Sequence, residues 1–95
     1  MAEKDGFHDF TFLTNHSHVL VCLTRDPQRR LRDVADDVGI TERAVQAIVR
    51  DLAQAGVLTI KKEGRRNVYT VNKKARLRHP VEGGTTVGQL LKVVL

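Results

Sequence analysis

The stretch of sequence that decides the fold is LRDVADDVGITERAVQAIVR, residues 31–50. Apolar residues recur at helical spacing on both sides of Gly39, as Val34, Ala35 and Val38 before it and as Ala44, Val45, Ile48 and Leu52 after it. Glycine adopts the left-handed backbone that commonly ends a helix, and Thr41 can cap the next helix with its hydroxyl. The stretch therefore predicts two short amphipathic helices joined by a tight turn.

Three neighbouring residues agree with this interpretation. Glu42 lies in the first turn of the second helix, where the helix dipole favours an anion. Ala35 is small enough to let the two helices approach closely, and Ile40 can fill the turn from the core side. This is the spacing of a helix-turn-helix. Two amphipathic helices around a glycine also occur in many other helical proteins, so the flanking segments carry the rest of the argument.

The composition supports one small domain over residues 1–95, because the chain is short and 41% hydrophobic. Its charge is distributed unevenly. Residues 1–60 hold 7 basic and 9 acidic side chains, whereas residues 61–95 hold 9 basic and 2 acidic ones. A basic region of this kind attracts polyanions, with nucleic acid first and an anionic membrane surface second.

The sequence argues against several other classes of protein. No apolar run approaches the ~18 residues of a membrane span, and the start MAEKDGFHDF lacks the pattern of a signal peptide. The single cysteine, Cys22, forms no disulfide framework, which fits a reducing cytoplasm. Enzyme motifs are lacking, since Gly83 and Gly84 are not followed by the lysine of a phosphate-binding loop. We therefore expect a cytoplasmic protein that is not an enzyme.

Cys22 could belong to a metal-sensing or thiol-sensing site, or it could simply pack in the core. His18 and Cys22 are four residues apart on a predicted helix and could share a metal ion, and His16 is close by. A sensor site needs three or four ligands, however, and the spacing does not supply them. We expect a buried cysteine that packs as a small hydrophobic residue, and neither a metal nor a cofactor.

The segment before the helix-turn-helix contains a further helix. Residues 1–13 become apolar at Phe7, Phe10, Phe12 and Leu13, and they should pack on the body of the domain or on a second subunit. Thr14 or Asn15 can cap a helix that runs to about Thr24, before Asp26 and Pro27 stop it. Its predicted inner face consists of His16, Val19, Leu20 and Leu23.

After the helix-turn-helix, the hydrophobic period changes from 3.6 to 2. The second helix should end at Ala55 and Gly56, and residues 57–63 and 67–71 read as two strands around a basic tip at residues 64–66. The predicted inward residues of this hairpin are Leu58, Ile60, Tyr69 and Val71. The polar connector at residues 28–30 is either a loop or a brief strand.

The last part of the sequence combines an irregular basic segment with a short helix. Residues 72–85 have no periodicity and are predicted to form an extended arm across the domain; their basic residues are Lys73, Lys74, Arg76 and Arg78. Thr86 and Gln89 match a capping box. The apolar face of the helix that follows consists of Val87, Leu90, Leu91 and Val94. So short a helix should dock on the first helix or on another chain.

This order of elements, mainly α with a small β-hairpin (α-α-α-β-β-α), resembles the winged helix-turn-helix transcriptional regulators of the MarR and ArsR type. The resemblance covers residues 31–71 and is clearest in ITERAVQ, LAQAGVL and EGRRNVY. It implies that a recognition helix at residues 42–55 enters the major groove of double-stranded DNA. It also implies that the wing at residues 61–68 reaches the minor groove or the backbone.

The resemblance also implies which residues contact DNA. Arg43 would bind a guanine edge, Gln46 an adenine, and Thr41 a phosphate at the start of the helix. The full expected set is Thr41, Arg43, Gln46, Ala47, Arg50, Lys61, Lys62, Arg65, Arg66 and Asn67. Within it, Arg65 and Arg66 would enter the minor groove or lie on the backbone.

One departure from the family pattern keeps an alternative open. Asp33, Asp36 and Asp37 lie on the helix that usually crosses the DNA backbone, where they would repel phosphates unless they face solvent or pair with Arg29, Arg30 and Arg32. We expect a homodimeric transcriptional regulator in which residues 1–13 and 72–95 contribute to the dimer contact. The alternatives are a winged helix that binds only proteins and a switch controlled by a small-molecule effector, which would need a pocket between the dimer and DNA-binding parts.

Overall fold

The computed structural model describes residues 10–95, and the structural statements below concern those residues. Phe7, one of the three phenylalanines expected to pack, lies outside them. The elements in chain order are helix α1 (Asn15–Arg25), helix α2 (Leu31–Val38), helix α3 (Glu42–Gln54), strand β1 (Leu58–Glu63), strand β2 (Arg66–Val71), a 3-10 turn (Pro80–Glu82) and helix α4 (Val87–Val94). The predicted α-α-α-β-β-α order is confirmed.

The turn between α2 and α3 forms as its sequence predicts. Gly39 has a left-handed backbone with φ of 85°, and its N–H donates to the Ala35 carbonyl at 2.8 Å. The N–H of Ile40 donates to the same carbonyl at 3.1 Å. The Thr41 hydroxyl accepts from the Ala44 N–H at 3.0 Å and so caps α3. Since these bonds are local, a short stretch of sequence is enough to specify them.

One hydrophobic core joins the helices to the base of the hairpin. Its buried members are Val19, Leu20, Leu23, Val34, Ala35, Val45, Ile48, Val49, Leu52, Val57, Leu58, Tyr69, Val87 and Leu91. Val49 and Val57 were not among the predicted core residues. Val49 follows Val45 by one helical turn, so it lies on the same buried face of α3.

Helix α1 differs from its prediction at one inner position. Thr14 caps it, as one of the two predicted alternatives, by accepting from the Ser17 N–H at 3.4 Å. The helix ends at Arg25, one residue beyond the expected end. The prediction that His16 faces inward is wrong, because its side chain is 48% exposed and its Nε2 donates to Asp51 Oδ2 at 2.9 Å. A polar partner on α3 therefore keeps this ring at the surface.

The hairpin is antiparallel, and its register runs from Leu58 opposite Val71 to Glu63 opposite Arg66. Arg66 therefore belongs to β2, although it was predicted in the turn. Leu58 and Tyr69 are buried, as predicted, but Ile60 is 43% exposed and that prediction is wrong. Ile60 lies on the same side of the sheet as Leu58, and it lines an open hollow between the hairpin and α3.

The connector between α1 and α2 holds the outer strand of the hairpin without forming a strand in the described structure. The Tyr69 N–H donates to the Pro27 carbonyl at 2.9 Å. The Arg66 guanidinium donates to the Gln28 carbonyl at 3.5 Å. Of the two alternatives for residues 28–30, the structure contains the loop.

The segment after the hairpin folds back on itself, so the prediction of an extended arm is wrong. Arg76 pairs with Thr86 in an isolated antiparallel bridge, and the Leu77 N–H donates to the Thr85 carbonyl at 2.8 Å. Gly83 and Gly84 have positive φ angles of 64° and 79°, which permit the reversal. Sequence periodicity cannot reveal a closed loop of this kind, because the loop buries no regular face.

Helix α4 begins with the predicted capping box. The Gln89 N–H donates to the Thr86 hydroxyl at 3.1 Å, and the Thr86 N–H donates to Gln89 Oε1 at 2.8 Å. Val87 and Leu91 are buried in the common core, so the helix docks on the domain body. Gly88 permits a close approach there, since a Cβ atom at this position would lie 3.0 Å from the Lys73 carbonyl oxygen.

The segment before α1 leaves its aromatic residues exposed. Phe10 is 67% and Phe12 94% exposed, and their rings meet edge to face with centroids 5.3 Å apart. The expectation that they pack on the body of this domain is wrong, whereas packing on a second subunit stays a prediction. Within residues 10–95, no helix has the length and apolar character needed to cross a bilayer.

Candidate nucleic-acid interface

Helix α3 has one buried face and one polar face. Its thirteen residues place Val45, Ile48, Val49 and Leu52 in the core. Arg43, Gln46 and Arg50 are exposed on the other side, with the half-buried Ala47 between them. Gln54, one helical turn beyond Arg50, is also exposed there and was not among the expected DNA contacts. The same i, i+4 spacing that selects Arg50 would have found it.

The start of α3 offers only a partly favourable environment for an anion. Thr41 is exposed, and its hydroxyl oxygen already accepts the Ala44 N–H, which leaves the hydroxyl hydrogen to donate elsewhere. Exposed Glu42 lies in the first turn, and its carboxylate offsets part of the positive helix end. A phosphate would therefore meet both a donor and a negative neighbour at this point.

The polar face of α3 and one side of the hairpin line a common cleft. The cleft has a volume of about 370 Å³, and its floor includes the apolar side chains of Val49 and Ile60. The polar residues along it are Gln46, Arg50, Gln54 and Asn67. Helix and hairpin thus border one shallow surface that is open to solvent.

The basic residues of the wing divide between the two sides of the hairpin. In the strand register Lys62 lies opposite Asn67, and this pair is on the cleft side, two residues beyond Ile60. Lys61 and Arg66 lie on the reverse side, since successive side chains of a strand point to opposite faces. Arg65 is exposed in the turn. The structure brings the five expected wing residues to one end of the hairpin but not onto one face.

The acidic side chains of α2 are partly paired. Asp37 accepts from the Arg29 guanidinium at 2.8 Å, and this hydrogen bond, with the charge of Asp37, raises the pKa of Arg29. Asp33 lies 3.4 Å from Arg30. Asp36 has no basic partner within 4.0 Å in the part of the chain described. The predicted pairing with arginines is confirmed for Asp33 and Asp37.

A polar contact links α1 to the flank of α3. His16 on α1 donates to Asp51, which follows Arg50 and has a 61% exposed side chain. The negative charges of Asp51 and Glu42 offset the positive charges of the two arginines of α3. The sequence alone gives no signal for this contact, because the two residues are 35 positions apart.

The surroundings of Cys22 favour a protonated thiol. Cys22 is only partly buried, so the prediction of a buried cysteine is not met in full. This partial burial raises the pKa of its thiol, and the nearby charge of Asp37 acts in the same direction. His18, the residue that could have shared a metal with it, bonds to Asn15 Oδ1 at 3.1 Å. Among residues 10–95, no group of three or more His, Cys, Asp or Glu side chains could hold a metal ion.

Cys22 also lines a hollow of about 420 Å³ between α1, the end of α2 and the end of α4. Its apolar walls come from Leu13, Val21, Val38 and Val94, and the polar residues around it include Arg25 and Asp37. The hollow lies between the helical core and the exposed N-terminal segment.

Comparison with known families agrees with this geometry. Residues 13–59 match a family model described as winged helix-turn-helix DNA-binding. The match begins just before α1 and stops in β1, so the wing tip, the loop and α4 lie outside it. No curated protein sequence matches the chain significantly. Residues 13–59 are thus similar in sequence to this family, and the order of the described helices and strands is consistent with a winged helix-turn-helix.

Proposed function

We propose that this protein is a sequence-specific transcriptional regulator of the MarR or ArsR type that binds double-stranded DNA. Helix α3 occupies the major groove, and the hairpin contacts the adjacent minor groove or the backbone. The observation that carries the proposal is the cleft shared by α3 and the hairpin, with Gln46 and Arg50 on one wall and Asn67 on the other.

In this mode the residues of α3 have separate roles. Arg43 donates to the O6 and N7 atoms of a guanine, and Gln46 makes the paired contact to an adenine. Arg50 and Thr41 contact phosphates and set the register of the protein on the duplex. Ala47 is small enough to let the backbone of α3 approach the bases.

The wing contributes affinity rather than base recognition. Lys62 and Asn67, on the cleft side of the hairpin, contact the DNA backbone, while Arg65 extends from the turn into the minor groove or onto the backbone. Lys61 and Arg66 approach phosphates from the reverse side. Because Arg66 also bonds to the connector, it supports the orientation of the wing as well as adding charge.

We further propose that the regulator is a homodimer, on the basis of apolar surface that this chain does not cover. Phe10 and Phe12 are exposed, and Val93 near the end of α4 is 84% exposed. A two-fold axis that buries these side chains would set two α3 helices about one turn of DNA apart. The bound site would then be a palindrome.

The test is selection of bound fragments from genomic DNA at two salt concentrations. A regulator enriches a palindromic sequence whose half-sites are about 10 base pairs apart. Enrichment without any common sequence would contradict the proposal.

The rival interpretation, a winged helix that binds only a protein partner, has lost part of its support. It relied on the three aspartates of α2, and two of them are paired within the domain. Reversing the charges of Arg65 and Arg66 separates the two functions. A DNA-binding protein loses affinity for every duplex, whereas a protein adaptor keeps its partner.

A further inference from the structure

Ile60 is an apolar side chain that the fold leaves partly in solvent. It is 43% exposed, and it belongs neither to the buried core nor to the half-buried residues that pack against that core. It lines the cleft between α3 and the hairpin. Its apolar surface is therefore available to whatever occupies the cleft, and its replacement should cost the fold little.

Tyr69 lies directly opposite Ile60 in the strand register, so the two side chains are neighbours on the cleft side of the hairpin. Tyr69 is only 5% exposed, yet it also lines the cleft. Its hydroxyl oxygen accepts from Asn67 Nδ2 at 3.4 Å, and within residues 10–95 this is the only hydrogen bond of the hydroxyl. The hydroxyl hydrogen is left to donate. The cleft thus has a nearly buried donor beside an apolar surface.

The charge of the cleft suits an anionic ligand. Among the described residues, no Asp or Glu lines it, whereas Arg50 is a cation and Gln46, Gln54 and Asn67 carry amide donors. Lys62 is opposite Asn67 in the register and adds a positive charge on the same side, toward the tip of the hairpin. A ligand that is both anionic and partly apolar would match this combination.

The backbone of a DNA duplex is such a ligand. In the proposed mode, α3 occupies the major groove and the wing the adjacent minor groove. These two grooves are separated by a single sugar–phosphate strand, so that strand has to pass between α3 and the hairpin. It alternates charged phosphates with deoxyribose rings, and the C2′ methylene of deoxyribose has no hydrogen-bonding group.

We propose that the cleft holds one nucleotide of this strand, with Ile60 against the deoxyribose and the Tyr69 hydroxyl donating to a flanking phosphate, so that ribose is rejected there. This inference rests on the proposed function. A 2′-hydroxyl that faces Ile60 loses its water and meets neither a donor nor an acceptor on that side chain, which costs affinity. The 2′-hydroxyl is the group by which a protein distinguishes RNA from DNA at a given site.

The test is a scan in which single nucleotides of the duplex that carries the selected site are replaced by ribonucleotides. Fluorescence anisotropy gives the ratio of the dissociation constants for the substituted and the unmodified duplex. For the wild type we expect one position in each half-site at which this ratio is about ten. Ile60→Ser supplies a hydroxyl partner and should lower the ratio at that position to about two or less, while the ratios elsewhere stay unchanged.

Two controls accompany the scan. A 2′-fluoro nucleotide favours the ring pucker of ribose but lacks the hydroxyl, so the wild type should bind it about as well as deoxyribose. Val68→Ser is the matched protein variant, because half-buried Val68 is on the reverse side of the same hairpin, opposite Lys61. It should keep the wild-type ratios. Thermal unfolding of each variant separates loss of binding from loss of folding.

A second measurement examines the phosphate. Tyr69→Phe removes only the hydroxyl, and a methylphosphonate removes the charge of one phosphate. A methylphosphonate next to the ribose-sensitive nucleotide should weaken binding of the wild type more than binding of Tyr69→Phe. At phosphates remote from the cleft, the two proteins should respond equally.

Three results would overturn the inference. The first is a set of ribonucleotide ratios that is the same in the wild type and in Ile60→Ser. The second is a 2′-fluoro nucleotide that weakens binding as much as ribose does, because sugar shape would then be the cause. The third is a loss on replacing thymidine by deoxyuridine that Ile60→Ser abolishes, because Ile60 would then contact a base methyl group. Failure of the proposed function would appear separately, as binding of the unmodified duplex that R43A and R65E/R66E leave unaffected.

Discussion

At the scale of single residues, Arg43 and Gln46 carry the base-reading hypothesis. Arg43→Ala should weaken binding to the selected site by about 1–3 kcal/mol, roughly 5- to 150-fold, because a bidentate guanine contact is lost. Binding to a scrambled duplex should change far less. Fluorescence anisotropy titration with both duplexes measures the difference, and Gln46→Ala should behave in the same way at an adenine.

The matched control for this pair is R25A/Q28A, which changes the same residue types at exposed positions outside α3. It should leave both affinities unchanged. Equal losses on the selected and the scrambled duplex in R43A would assign Arg43 to a phosphate and remove it from base recognition.

Cys22 provides a second prediction at this scale. Burial is the larger cause of the raised pKa of Cys22, and the charge of Asp37 is the smaller one. Little thiolate is therefore present at neutral pH. Alkylation by iodoacetamide should be slower than in the unfolded chain. The shift also stabilises the fold at pH values below the pKa of the unfolded thiol. That contribution is lost as the pH rises through the pKa of the folded thiol. Alkylation equally fast with and without urea would contradict this.

At the scale of elements, the turn between α2 and α3 depends on Gly39. A Cβ atom at this position meets nothing within 4 Å, so Gly39→Ala is opposed only by the left-handed backbone. The free energy of unfolding should fall by about 1–2 kcal/mol. Urea denaturation measures it. Gly39→Asn should be milder, because asparagine tolerates this conformation better, and equal losses in the two variants would point to a steric cause instead.

Features with local hydrogen-bond partners could be predicted from the sequence, whereas those that depend on distant contacts could not. Gly39, Thr41 and the capping box at Thr86 were predicted correctly, because each is satisfied by partners within a few residues. His16 and Ile60 were assigned to the wrong environment. Their exposure depends on how α1 and the hairpin sit against α3, and that placement is set by contacts between residues far apart in the sequence.

The candidate site shows the same division. The exposed positions of α3 follow from helical periodicity and were found, apart from Gln54. The division of Lys61, Lys62 and Arg66 between two faces follows from strand alternation once the register is known. The closed loop after the hairpin could not be predicted, because its bridge between Arg76 and Thr86 has no periodic signature.

At the scale of the whole molecule, DNA binding should depend steeply on salt. A dimer that neutralises about six phosphates should lose roughly three orders of magnitude in affinity between about 50 and 200 mM salt. Titrations over that range give the slope of log K against log salt. Arg65→Ala should reduce the slope by about one to two in a dimer, since each subunit loses one phosphate contact. A slope near zero would exclude this mode of binding.

The proposed homodimer can be tested through its exposed aromatic residues. F10S/F12S removes two exposed aromatic side chains that contribute little to the core of the domain, so the fold should persist while self-association weakens. Sedimentation equilibrium measures the dissociation constant. F12S should weaken the dimer less than the double substitution does. A monomeric wild type, or an unaltered dimer in F10S/F12S, would place the two-fold contact elsewhere or remove it.

The hydrogen bond from Tyr69 to the Pro27 carbonyl has a mechanical consequence. It joins the outer strand of the hairpin to the segment between α1 and α2, so movement of the wing about its base is coupled to those helices. A small rotation of α1 could be imposed by a partner subunit or by a molecule in the hollow beside Cys22. Such a rotation would displace Arg65, at the tip of the wing, further than it displaces the base of the hairpin. If the protein binds DNA as proposed, this movement would change the spacing between the wing and the DNA groove.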